Sequence, residues 1–235
     1  MSNLKALKFY ATQPHTCSYL PKQQATTLFL DPDIIISKPL YSQLTDLGFR
    51  RSGQHLYRPH CEACCACTPV RVKVDEFKYK RRFQRILKTN QDISLRICPP
   101  HYCDEYYELY ARYIEARHAD GDMFPPSKEQ FNSFLVGDWS FCKFMECWLD
   151  NKLVAVAVMD ELTKGLSAIY TFFEPELTKH SLGTYCILQQ IYLAKSLGLP
   201  YVYLGYWIKE CQKMSYKTEF RPLEIYLDHQ WLAVL

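Results

Sequence analysis

The sequence predicts an α+β fold: a small, cysteine-containing α/β unit followed by a mixed, mostly antiparallel sheet flanked by helices. Three observations carry this expectation. From Ile93 onward the pattern reads strand, two helices, three strands, helix, strand. The connectors between the three strands, Asp150-Asn151-Lys152 and Thr163-Lys164-Gly165, are short and polar, as hairpin loops are. Before Asn90 the chain breaks instead into short strands and turns, and five cysteines gather there. A division into residues 1–90 and 91–235 follows, with no low-complexity linker to sharpen it.

Each element has its own signal. Ala25 to Leu30 reads as a strand closed by Asp31-Pro32-Asp33. Leu40, Leu44 and Leu47 give Lys38 to Leu47 a helical period, stopped at Gly48. Phe49 to Arg58 reads as a hairpin about Ser52-Gly53, and Val70 to Val74 alternates like a half-buried strand. Ile93 to Ile97 is a strand ended by Pro99-Pro100. A helix from about Cys103 to His118 sets Tyr106, Tyr110 and Tyr113 on one face, and a second covers Lys128 to Leu135. The strands are Cys142–Leu149, Leu153–Glu161 and Leu166–Phe173, the middle one apolar enough to be central. Ser181 is placed to cap a helix carrying Ile187, Ile191 and Ala194, which Gly198 ends; the strand Tyr201–Leu204 follows.

Composition narrows the function. No apolar run approaches the roughly 18 residues of a membrane span, and the start, Met1-Ser2-Asn3-Leu4-Lys5, lacks a signal-peptide core. The expectation is a soluble cytoplasmic protein. The net charge of +3 hides an asymmetry. Between Gly48 and Arg96 twelve Lys/Arg face four Asp/Glu, a local +8 that leaves −5 for the rest. Such a segment points to a polyanion partner, with Arg71, Lys80, Arg81, Arg82 and Arg85 as the contacts; a solvated helix face is the alternative.

Eleven cysteines in a reducing compartment do not read as a disulfide framework. Cys98, Cys103, Cys142, Cys147, Cys186 and Cys211 stand singly in apolar or helical contexts, as packing residues do. Cys61, Cys64 and Cys67 have C-x₂-C-x₂-C spacing, which brings three thiolates around one centre; Cys17, or the adjacent Cys65, is the fourth ligand that zinc or an iron–sulfur cluster requires. A group of reduced thiols without metal is the alternative.

The element order after Ile93 is that of an acetyltransferase-type (GNAT-like) fold, which by itself gives no function. A coenzyme A enzyme of that fold needs a glycine-rich turn to cradle pyrophosphate. The turn here, Thr178 to Thr184, holds only Gly183. No P-loop is present either, so neither coenzyme A nor a nucleotide cofactor is expected.

Several stretches together resemble one family. Gly48-Phe49-Arg50-Arg51-Ser52-Gly53, the run from Arg58 to Cys67, Arg117 to Met123, Ser181-Leu182-Gly183, Tyr203 to Ile208 and Lys213 to Lys217 are similar to signatures of the aminoacyl-tRNA–protein transferases. The resemblance spans nearly the whole chain. Its short length is closer to the bacterial aspartate/glutamate leucyltransferases than to the longer eukaryotic arginyltransferases. It implies transfer of leucine from leucyl-tRNA to proteins that begin with Asp or Glu, marking them for N-degron degradation. Related arginyltransferases carry an N-terminal cysteine motif that holds an iron–sulfur cluster; here Leu20 stands where its second cysteine would be.

The chemistry is consistent. An aminoacyl ester is already activated, and an α-amine of pKa roughly 7.7–8.0 needs only mild base help. The enzyme must hold amine and ester together and stabilise an oxyanion. The resemblance places this work in the second part of the chain, with Gln189, Tyr206, Lys217, His118 and Asp120 as candidate catalytic residues and Lys209 and Tyr216 beside them at the substrate. His118 reads equally as a helix cap. An acidic N-terminus calls for an Arg fork, for which Arg50, Arg51 and Arg117 are the candidates. The competing classes are an arginyl-tRNA–protein transferase acting on the same N-termini and a cysteine-rich RNA-binding protein without catalysis.

Overall fold

The structure, a computed structural model, describes residues 4–137 and 139–234. The first part builds two small sheets. β1 (Phe9–Ala11), β4 (Thr27–Leu30), β6 (His55–Pro59) and β5 (Arg50–Ser52) lie in the order β1-β4-β6-β5, while β2 (His15–Thr16) and β3 (Gln24–Ala25) pair alone. α1 (Lys38–Asp46) starts with the Ser37 hydroxyl accepting from Leu40 N–H, and the chain leaves it at Gly48 with φ +85°.

The large sheet has eight strands. β7 (Thr68–Lys73) leads to α2 (Arg81–Thr89), then β8 (Ser94–Cys98), α3 (Asp104–Arg117) and α4 (Lys128–Phe131). β9 (Cys142–Leu149), β10 (Lys152–Glu161) and β11 (Gly165–Phe173) follow, then α5 (Leu182–Ser196), β12 (Tyr201–Trp207), β13 (Leu223–Leu227) and β14 (Gln230–Val234). The order is β14-β13-β7-β12-β11-β10-β9-β8, antiparallel throughout except for the β11–β12 pair. The fold is therefore α+β with a mixed, mostly antiparallel sheet. β7, from the first ninety residues, lies between β12 and β13, so both segments contribute to one sheet.

Three apolar clusters hold the layers. One lies beneath α5 and α2 and contains Ala155, Ala157 and Met159 of β10. A second lies beneath α3 and takes Val156 and Val158 from the other face of the same strand. Burial on both faces is why β10 is apolar at almost every position. The third joins α1, Phe49 and Leu56 to Tyr203 of β12, and so fastens the small sheet to the large one.

Local departures from the sequence pattern have identifiable causes. α4 stops at Phe131 and continues as a π-helical turn, Asn132–Val136. β12 runs three residues beyond Leu204 because Gly205, at φ +81°, accommodates a register shift against β7. Ser181 does not cap α5 through its side chain; it sits at φ +48°, and the turn is held instead by Asn90, whose amide donates to the His180 carbonyl at 2.8 Å.

Arg51 and Asp160 form an ion pair, 2.7 Å at Nε, with neither side chain exposed to solvent (0% and 0%). Tyr41 Oη donates to the same carboxylate at 3.0 Å. Removing one member of a buried pair strands the other charge. Asp160→Ala is therefore expected to cost about 3–5 kcal/mol in a urea unfolding titration; a loss below about 1 kcal/mol would contradict the pairing.

Candidate active site

The widely separated motifs meet at Tyr206. Its hydroxyl donates to the carbonyls of Gly48 (2.8 Å) and Tyr57 (3.3 Å), both in the first part of the chain. Its own carbonyl accepts from Lys217 Nζ at 2.5 Å. One residue earlier, Gly205 leaves room for Arg50: a Cβ there would stand 3.3–3.4 Å from the guanidinium. Arg50 then donates to Ser167 Oγ (2.8 Å) and to the carbonyls of Ala168 and Tyr203. The glycine in Tyr203-Leu204-Gly205-Tyr206 is thus explained by the arginine in Gly48-Phe49-Arg50.

Beside this junction lies a cavity of about 540 Å³. Tyr57, Arg58, Tyr206, Ile208 and Tyr226 form one part of its wall, and Cys17, Cys61, Cys64, Cys65 and Cys67 another. The five cysteines thus belong to the site rather than to a separate module. Cys17 Sγ accepts from the N–H groups of Tyr19 (3.5 Å) and Leu20 (3.4 Å). Burial, then the neighbouring Cys61, Cys17 and Cys64 thiols, push Cys67 up to about 12. The donors suit a soft metal chemically. Their grouping does not: among the described residues no three His, Cys, Asp or Glu side chains are gathered closely enough to hold an ion. The five thiols line the cavity, and no chemical step is routed through a metal.

A loop after α3 is tied to the same region. Lys213 Nζ bonds Asp120 at 2.8 Å, and Ser18 Oγ reaches Asp122 at 3.5 Å. His118 lies 3.3 Å from Tyr113 Oη, and its pKa is lowered by burial and then by Lys213, which favours the neutral imidazole. The 3-10 helix Gln212–Glu219 therefore joins the loop, through Lys213, to the interior, through Lys217. Arg117 is exposed beside His118, and among the described residues it has no ion-pair partner. Lys209 is exposed in the turn after β12, and Tyr216 is 41% exposed.

Other expectations are corrected. Arg51 is sealed against Asp160 and cannot reach a substrate. Arg71 is buried, ion-paired to Glu224 (2.7 Å) and Asp46 (3.3 Å), and stacked on Tyr201 and Trp231 with its guanidinium carbon 3.6 and 4.2 Å from the ring centroids. It holds β7 to β12 and β14 and offers nothing to a phosphate. Gln189 lies on α5 beside Tyr185, outside the cavity wall. Lys80, Arg81, Arg82 and Arg85 are all exposed, and of these Arg82 pairs with Glu219. Sequence reasoning missed Tyr57 and Arg58 at the wall. The available signal was their position just before the cysteine run, on a strand too short to show which face was buried.

The electrostatics divide the arginines. Arg51 and Arg71 have carboxylates, whereas the partners of the buried Arg50 among the described residues are all neutral. Lys217, 7% exposed, likewise has no carboxylate partner among the described residues; burial, then Arg50, bring its pKa down to about 7. Behind the cavity wall, Arg50 and the protonated fraction of Lys217 thus place positive charge with no carboxylate beside it among the described residues.

Comparison with known proteins gives this arrangement its class. The pattern described as "Arginine-tRNA-protein transferase, N terminus" matches residues 15–85, and "Arginine-tRNA-protein transferase, C terminus" matches residues 105–227. The chain is 56% identical, over 100% of both chains, to a protein of Pseudomonas fluorescens (strain Pf0-1) named "Aspartate/glutamate leucyltransferase". It is 57% identical over the same full span to one of that name from Pseudomonas syringae pv. syringae (strain B728a). The chain belongs to the arginine-tRNA-protein transferase family and is an aminoacyltransferase. Among solved structures, L-PGS from Bacillus licheniformis aligns at a TM-score of 0.43 and 10% identity, over 71% of this chain and 49% of its own. That likeness is too distant to bear on the site.

The unpaired Lys217 makes a stability prediction. The folded pKa of about 7 lies below the ordinary 10.5, so this group's contribution is full above pH 10.5 and is lost as pH falls through 7. Lys217→Met is expected to raise stability, by on the order of 1–4 kcal/mol at or below pH 7 and by progressively less toward pH 10.5, while transfer activity falls. Thermal melts across that range check it. A variant less stable than the parent at pH 7 would contradict it.

Proposed function

We propose that the enzyme transfers leucine from leucyl-tRNA to the α-amine of proteins that begin with Asp or Glu, and that the product is a degradation signal of the N-degron type. The observation that supports this reading is the cavity backed by Arg50 and Lys217, basic side chains with no carboxylate partner among the described residues. Such positive potential suits the oxyanion of ester aminolysis. Full-length relatives named aspartate/glutamate leucyltransferase supply the donor and the acceptor.

In the reaction, the acceptor's amine nitrogen attacks the leucyl ester carbonyl, and an amide bond forms as the ester C–O bond breaks. The tRNA terminal ribose hydroxyl leaves with a proton, and the amine gives one up. Arg50 and Lys217 supply positive potential where the carbonyl oxygen becomes negative. Tyr206 positions that pair by tying its own carbonyl to Lys217 and its hydroxyl to Gly48 and Tyr57. His118, held neutral, takes the amine proton from the loop that Lys213 and Ser18 secure. The donor's phosphates lie along the exposed side chains Lys80, Arg81 and Arg85 of α2 and the residue before it.

The decisive assay combines purified protein with radiolabelled leucyl- or arginyl-tRNA and peptides beginning with Asp, Glu, Lys or Ala. Transfer of leucine to the Asp and Glu peptides alone is expected. Label from arginyl-tRNA only would replace the donor, and no transfer from either would overturn the reading. Reversing Lys80, Arg81 and Arg85 to Glu is expected to raise the leucyl-tRNA KM and to reduce the salt slope by about one per lost phosphate contact, with the peptide KM unmoved. An unchanged tRNA KM would remove α2 from the donor path.

A further inference from the structure

Arg58 is a third basic side chain at the site with no carboxylate partner among the described residues. It lies in β6, three residues before Cys61, and lines the cavity directly. Its guanidinium rests over the Phe49 ring, 5.2 Å from the centroid, and makes no hydrogen bond or ion pair with any described residue. Asp228 shares the cavity wall but forms no ion pair with it. A guanidinium that lines a cavity with its fork free of protein carboxylates is available to an anionic ligand, which it can bind bidentately.

Its surroundings suit a small carboxylate. The charge of Arg58 acts on Tyr206 and Tyr226. The Tyr226 hydroxyl is buried and has no hydrogen-bond partner among the described residues. A guanidinium fork and a phenol hydroxyl are donors that a carboxylate can accept from together. The cavity's volume suits one residue with its adjoining backbone rather than a nucleic-acid stem, and the exposed cations available to phosphates lie outside, on α2.

We propose that Arg58, with the Tyr226 hydroxyl of the same cavity wall, binds the side-chain carboxylate of the acceptor's N-terminal Asp or Glu and thereby sets which acceptors the enzyme takes. The inference rests on the transfer reaction proposed above and assigns its acceptor specificity to residues distinct from Arg50, Arg51 and Arg117. Arg50 and Lys217 act behind the wall on the reacting carbonyl, while Arg58 reads the acceptor's side chain at the wall.

The test compares peptides starting with Asp and with Asn, which differ in charge and little in shape. Their binding is measured by calorimetry without tRNA, and their transfer kinetics with leucyl-tRNA. For the wild type the Asp peptide is expected to bind much more tightly. Arg58→Met is expected to lower the Asp-over-Asn preference by on the order of 100-fold, through KM rather than kcat and with the leucyl-tRNA KM unchanged. Arg58→Lys recovers part of the preference, since a point charge lacks the fork. Tyr226→Phe lowers it by about 3- to 10-fold, and this variant carries the test should Arg58→Met fail to fold. A preference retained within about twofold in folded Arg58→Met overturns the proposal. A shift confined to the leucyl-tRNA KM also overturns it, by giving Arg58 to the donor. Arg58-dependent binding without any transfer would preserve the carboxylate site and sink the transfer reading instead.

Discussion

The close approach of Arg50 to Gly205 is the contact on which the site depends. A glycine at φ +81° suits this backbone without strain and lets the guanidinium settle against β12, where a Cβ would press on it, and reach Ser167 and two backbone carbonyls. That seat locks β5, from the small sheet, onto the large one. It also fixes the following residue, Tyr206, whose hydroxyl and carbonyl fasten Gly48, Tyr57 and Lys217 around one point. Six polar contacts from four chain segments thereby become mutually dependent, and the cavity wall is built on them.

Charge pairing then separates support from function. Arg51 and Arg71 are as buried as Arg50, but each is matched by carboxylates and closes an interface between strands. Arg50, Lys217 and Arg58 have no carboxylate partner among the described residues. Burying a charge without a counter-ion costs stability. On the proposed reading the two buried groups, with the half-buried Arg58 at the wall, shape the site for an anionic guest, and the folded chain bears the cost of Arg50 and Lys217 until the guest arrives. Lys217 carries the cost visibly, in a pKa brought down to about 7.

Periodicity in the sequence predicts the elements well and their long-range partners poorly. The three-strand meander, with β10 apolar on both faces, is readable because its signals are local. The place of β7 beside β12 and β13 is not, since its partners lie more than a hundred residues away and any half-buried strand would show the same alternation. The basic segment suffers from the same limit. Arg71 and Lys80 contribute equally to its +8, yet a glutamate 153 residues on, Glu224, makes one a strut and leaves the other in water. Motif spacing brought the cysteines together but could not show that they share a cavity with Tyr206.

The claim that the site is an unpaired cationic hollow is tested most directly by titrating the Lys217 side chain with ¹⁵N-labelled lysine and NMR, with and without a peptide beginning with Asp. The account predicts an apparent pKa near 7 in the free protein, rising when the peptide binds, because an anion bound at the cavity wall favours the charged ammonium behind it. A free-protein pKa at the ordinary 10.5, unmoved by the peptide, would contradict it.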